Sequence, residues 1–250
     1  MEIREGVRCG DTVRAVIEEL LGPLSAVRLI RGIDPKQAAF LEAIGFGLDT
    51  VDLVYRRLAA TLRGLDPAPS PLIFADAWAI VDWMDRIDTL VEHCPGLSPR
   101  DEAVRDFLNT SSLVDELRNI YEHPLRELPS LVPTGGSLWG RITWQRRVDG
   151  GHEVMEITPF SRWREVDERR PADEQEPPRA NIDRISLFSP DGAVEIGITG
   201  QWEAAVRFAL RLDGALQAGT KPAEGERMEI KVWLPAPSAA SWPELEKRLA

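Results

Sequence analysis

Apolar residues recur at helical spacing through the first half of the chain and at strand spacing through much of the second. From about Pro35 to Leu62, the residues Leu41, Ile44, Leu48, Val51, Tyr55, Leu58 and Leu62 follow one another at steps of three and four, which is the seam of a packing helix. Gly45 and Gly47 weaken that helix locally and let a neighbour come close. Gly64–Pro71, with three prolines, is a stiff loop. A second helix is predicted from about Leu72 to His93, with Phe74, Ala77, Val81, Met84, Ile87 and Val91 on one face, stopped by Pro95-Gly96. Ser98-Pro99-Arg100-Asp101 reads as a cap with proline at the first helical position, opening a helix that carries Val104, Phe107 and Leu108. The capping residues Asn109–Ser112 predict a break before a last helix that buries Leu113, Leu117 and Ile120. Nearer the start, Asp11 or Thr12 caps a short helix through Leu21, and Ala26–Ile30 fits a strand or a helix. The expectation for residues 1–130 is an up-and-down bundle of helices.

After the proline-containing stretch Glu127–Pro133 the period changes to two. Leu138, Ile142 and Trp144 alternate with Trp139, Arg141 and Thr143; Gly150-Gly151 offers a hairpin turn and Val154–Phe160 a return strand. Residues 161–181 are dense in charge and proline and predict a mobile loop. Ile182–Phe188 and Val194–Thr199, joined by Ser189-Pro190-Asp191-Gly192, form a second strand pair, followed by a helix from about Gln201 to Leu216. Met228–Leu234 alternates as a last strand, and Ser241-Trp242-Pro243-Glu244 caps a short final helix. The fold class expected is therefore α+β, with a helical domain over 1–130 and a small α+β domain over 131–250.

Charge restricts the partners. Forty-one acidic against 30 basic residues give a formal net charge of −11, so any contact with nucleic acid must be confined to a local basic cleft or be weak. Two cysteines, Cys9 and Cys94, are too few for a disulfide framework or a thiolate metal site, which suits a reducing cytoplasm. No apolar run has the length of a membrane span, and the first residues lack the order of a secretory signal, so no membrane partner is expected.

The stretch with the most chemistry is Arg118-Asn119-Ile120-Tyr121-Glu122-His123, at the end of the last helix of the first half, just before Pro124. A permanent cation can hold a phosphate, and an imidazole titrating near neutrality can move a proton. Pro124 pushes His123 out of helical geometry, which changes where the imidazole can reach. The same Arg-to-His spacing recurs at Arg147 and His152, but Val148-Asp149-Gly150-Gly151 between them spell a hairpin and that match is accidental. The bland reading of the first set is an Arg118 paired with Asp115 or Glu122 on the helix surface and a His123 favoured by the helix dipole.

The motif Arg118-Asn119-x-x-x-His123, late in a helical run, resembles the R-x4–6-H signature of the HEPN superfamily, over the first half of the chain only. The resemblance implies a mostly helical domain and a metal-independent endoribonuclease, a toxin or phage-defence component acting on RNA without a cofactor. On that reading His123 is the general acid or base, Arg118 stabilises charge on the phosphoryl oxygens and Asn119 orients the ring or the phosphate. Tyr121, Glu122 and Arg126 lie close enough to contact substrate, with core packing the stronger expectation for Tyr121. The resemblance also implies a homodimer that places two motifs in one cleft. The second domain, outside the resemblance, is expected to restrain the first or to bind a regulatory protein partner. The alternative is a non-catalytic HEPN-like module that binds a protein, RNA or another ligand through the same face. Asp82, Asp85, Asp88 and Glu92 form an acidic ridge on the second helix, read as a solvated face and not as a metal site.

Overall fold

The computed structural model describes residues 20–21, 25–29, 33–63, 71–123, 129, 137–148, 151–159 and 182–219. In chain order these form α1 (Ala26–Leu29), α2 (Pro35–Arg63), α3 (Pro71–His93), α4 (Glu102–Ser111), α5 (Val114–Glu122), β1 (Arg141–Val148), β2 (Gly151–Ile157), β3 (Ile182–Phe188), β4 (Glu195–Gly197) and α6 (Ile198–Gly219). The fold is α+β. The predicted first helix apart from its last two residues, Leu20 and Leu21, which form a turn, the loop over 161–181, the strand Met228–Leu234 and the final capped helix lie outside the described residues.

The two long helices begin and end within a residue of where periodicity places them. All seven seam residues of α2 are buried, and they pack against α3. Arg57 meets Asp76 and Gly47 meets Ile87, so the two helices run in opposite directions. The approach is close. A Cβ built on Gly47 comes 2.7 Å from Ile87 Cγ1, and one on Gly45 comes 2.8 Å from Val27 Cγ1, so both glycines do admit a neighbour. The ambiguous stretch at Ala26 is a helix.

The shorter helices differ from expectation in two places. Ser98-Pro99-Arg100-Asp101 closes a turn, with Asp101 N–H on Ser98 O at 2.9 Å and Arg100 N–H on Ser98 Oγ at 3.2 Å, and α4 starts only at Glu102. The break falls at Ser112–Leu113: Leu113 is 49% exposed and Val114 is buried in its place, whereas Leu117 is buried as expected and Ile120 packs partly buried against the core.

The four strands make one antiparallel sheet in the order β2-β1-β3-β4. Val148 pairs with Gly151 and Arg147 with His152 in the β1–β2 ladder, so of the predicted turn Gly151 already belongs to β2, while Gly150 lies outside the described residues. Ile142, Trp144, Ile185, Leu187 and Ile196 share the buried face, as alternation requires. The change of texture at residue 131 is a change from helices to strands, and the buried core continues across it. Tyr55 stacks on Trp202 with centroids 4.2 Å apart and donates to Thr199 Oγ1 at 3.2 Å. Phe107 stacks on Phe208, and Gln201 Nε2 donates to Thr110 O at 2.7 Å. Thus α6 packs against α2 and α4. No helix among the described residues is long and apolar enough to cross a membrane.

Candidate functional site

Helix α5 is short and strongly two-faced. Asp115 and Glu116 in its first turn offset the helix dipole, and Val114 and Leu117 fix it in the core beside α3. Arg118 follows Leu117 and reaches across to α3. Its guanidinium bonds Asp85, lies 3.4 Å from Asp82 Oδ1 through Nε, and meets Glu122 Oε1 at 2.8 Å through NH2. The Nε contact is an ion-pair distance without hydrogen-bond geometry. Burial alone would lower the guanidinium's pKa; the fields of Asp85, Glu122 and Asp82 outweigh it and raise the value above its ordinary range. Asp85 is buried, and Arg118 itself is less than a third exposed. One cation is thus held among three carboxylates.

The other motif residues are spread. Asn119 is exposed and donates to Asp115 Oδ1 at 3.2 Å, one turn back. Tyr121 stacks on Trp78, centroids 4.3 Å apart and planes at 18°, and leans on Trp139 at 5.5 Å; Trp78 Nε1 donates to Trp139 O at 3.1 Å. One ring face that a base could use is therefore occupied by Trp78. His123 leaves helical geometry at φ −118° and ψ 51°, as Pro124 predicted, and is exposed with no hydrogen-bond partner among the described residues. Arg126 lies outside the described residues.

No family model, curated protein or solved structure matches this chain.

The acidic ridge is largely engaged by the protein itself. Asp82 pairs with Arg86 at 2.8 Å and Asp85 with Arg118, and Asp88 accepts from Ser111 Oγ at 3.0 Å. No group of three metal-ligating side chains suited to an ion occurs among the described residues. Cys94 is buried, which pushes its thiol up to about 12 and makes it a poor nucleophile at neutral pH.

Burial pushes Asp88 from its ordinary 3.8 up to about 6; Ser111 opposes this, and Glu92, Asp85 and Asp115 add to it. Between those two values the folded chain holds the proton more tightly than the unfolded chain, so the stabilisation is full below about pH 4 and is lost as pH rises through about 6. Asp88→Asn, which keeps an acceptor for Ser111, is expected to raise stability at pH 7.5 by on the order of 1 kcal/mol, after discounting for solvent screening of a half-buried group. The gain should vanish below pH 4. Urea unfolding of both proteins at the two pH values checks this; a variant less stable at pH 7.5 contradicts it.

Beside Arg118 lies an open groove of about 780 Å³ between α2 and α3, with Ala43, Phe46, Trp83 and Leu90 as its apolar lining. Phe46 and Trp83 meet edge to face at 5.4 Å, and Arg86 lies 5.6 Å from the Trp83 ring centroid. None of these side chains belongs to the inner seams of α2 and α3. Their signal in the sequence is a second heptad pattern on the outer side of α2, through Ala39, Ala43 and Phe46, and the seven-residue spacing of Trp83 and Leu90 on α3.

Proposed function

We propose that this chain is a HEPN-like interaction module and not a working ribonuclease, acting in the cytoplasm, where a free Cys94 is at home. The observation that carries the reading is the engagement of Arg118 with Asp82, Asp85 and Glu122. A phosphate brought to this guanidinium meets three carboxylates first, and like charge disfavours its approach. Binding the phosphate requires breaking the buried bond to Asp85, which leaves that carboxylate uncompensated.

A second reading, the metal-independent RNA endonuclease of a toxin or defence system, draws support from the exposed His123 just past the end of α5. It needs a homodimer that supplies a second motif, together with release of Arg118 from α3. Mixed RNA incubated with the chain in EDTA separates the two readings, with His123→Ala and Arg118→Met in parallel and light scattering for mass. The module reading predicts RNA as intact with wild type as with the variants. Cleavage by wild type that both variants lose, from a dimer, overturns it.

A further inference from the structure

The inner side of α2 is a seam filled by the core, and its outer side repeats the pattern. Ala39, Ala43, Phe46, Thr50 and Leu53 follow one another at steps of four and three, and Phe46 and Leu53 are 61% and 45% exposed. On α3, Trp83 and Leu90 are also seven apart, partly buried, and line the same groove. Single exposed apolar side chains are ordinary on any protein. Here a Phe, a Trp and a Leu from two antiparallel helices line one open trough of about 780 Å³. Two helices that each offer a heptad-spaced apolar pair to a shared trough, Ala39 and Phe46 from α2 and Trp83 and Leu90 from α3, have the surface into which a third helix packs, ridges into grooves.

Charge selects the occupant. Among the described residues, the trough and the adjoining Arg118 cluster carry Glu42, Asp82, Asp85 and Glu122 against Arg86 and Arg118. Glu42 has no ion-pair partner among the described residues, whereas both arginines are already paired, Arg86 with Asp82 and Arg118 with its three carboxylates. The rim is net negative on a chain of net charge −11. A second copy of this chain would set one acidic rim against another, which costs affinity. We propose that the trough seats an amphipathic helix of a partner protein whose apolar face is flanked by lysine or arginine. This rests on the interaction-module reading and specifies its partner: apolar side chains dock between Phe46 and Trp83, and a basic side chain reaches Glu42.

The test uses the full chain and two labelled synthetic peptides of about three heptads each, with leucine at the core positions and lysine or glutamate at the flanking ones. Fluorescence anisotropy should show saturable binding of the lysine peptide that weakens as salt is raised, and none of the glutamate peptide. Phe46→Ala, at an exposed position, should weaken binding about tenfold with the circular dichroism spectrum and melting temperature unchanged. Glu42→Lys should weaken the lysine peptide too. Equal binding of both peptides, or indifference to Phe46→Ala, overturns the proposal. So does a wild-type dimer that Phe46→Ala dissociates, since the trough then holds a second copy. If the lysine peptide fails to bind while RNA stays intact, the trough is lost and the module reading survives; RNA cleavage removes that reading whatever the peptides do.

Discussion

Gly140→Ala is expected to destabilise the protein by about 3 kcal/mol or more, roughly a 10 °C fall in melting temperature for a chain of this size. Gly140 adopts φ +74° at the entry to β1, and a Cβ built there lies 2.0 Å from the carbonyl oxygen of Phe188. A left-handed backbone costs an L residue about 1–2 kcal/mol by itself. The overlap adds to that because its partner is backbone: Phe188 is paired with Arg141, so the oxygen cannot withdraw without disturbing the β1–β3 ladder. The strain also reaches the aromatic cluster, since Trp139, the preceding residue, accepts from Trp78 Nε1. Urea unfolding monitored by tryptophan fluorescence checks this, and a loss below about 1 kcal/mol contradicts it.

Arg118→Met is expected to cost about 2–4 kcal/mol. Methionine keeps much of the apolar stem, so the loss reports charge more than packing. Removing the guanidinium leaves Asp85, 8% exposed, without its cation, whereas Asp82 keeps Arg86. Glu122 is nearly half exposed, and water replaces most of what it loses. Most of the cost therefore falls on Asp85. A catalytic arginine waiting for phosphate is instead one whose removal abolishes activity and leaves stability nearly unchanged, so unfolding free energies distinguish the two roles.

The long helices were legible because steps of three and four over Leu41–Leu62 and Phe74–Val91 leave one geometry that buries every large apolar side chain. The sheet's inner face was legible by the same logic at period two, through Ile142 and Trp144. Contacts between distant segments were not. Arg118 and Asp85 are 33 residues apart, and each drew its own reading, one as a phosphate ligand and the other as part of a solvated ridge. Their pairing depends on how α5 lies on α3, which no local pattern encodes. Tyr55 and Thr199, 144 residues apart, likewise join segments on either side of residue 131. Leu113 is misplaced because it stands in the two-residue break before α5, and the next residue, Val114, takes the buried position, from which helical spacing continues to Leu117. Phe46 and Trp83 carried a readable signal in their spacing, hidden behind the stronger inner seams of the same helices.

The role of Arg118 is tested most directly by a double-mutant cycle of unfolding free energies over wild type, Arg118→Met, Asp85→Asn and the double variant. A structural ion pair predicts a coupling of about 1.5 kcal/mol or more, with the double variant no less stable than Arg118→Met alone, because the second change removes the uncompensated charge. Effects that add to within about 0.5 kcal/mol, together with RNA cleavage that Arg118→Met abolishes, would contradict a structural Arg118 and assign it to phosphate.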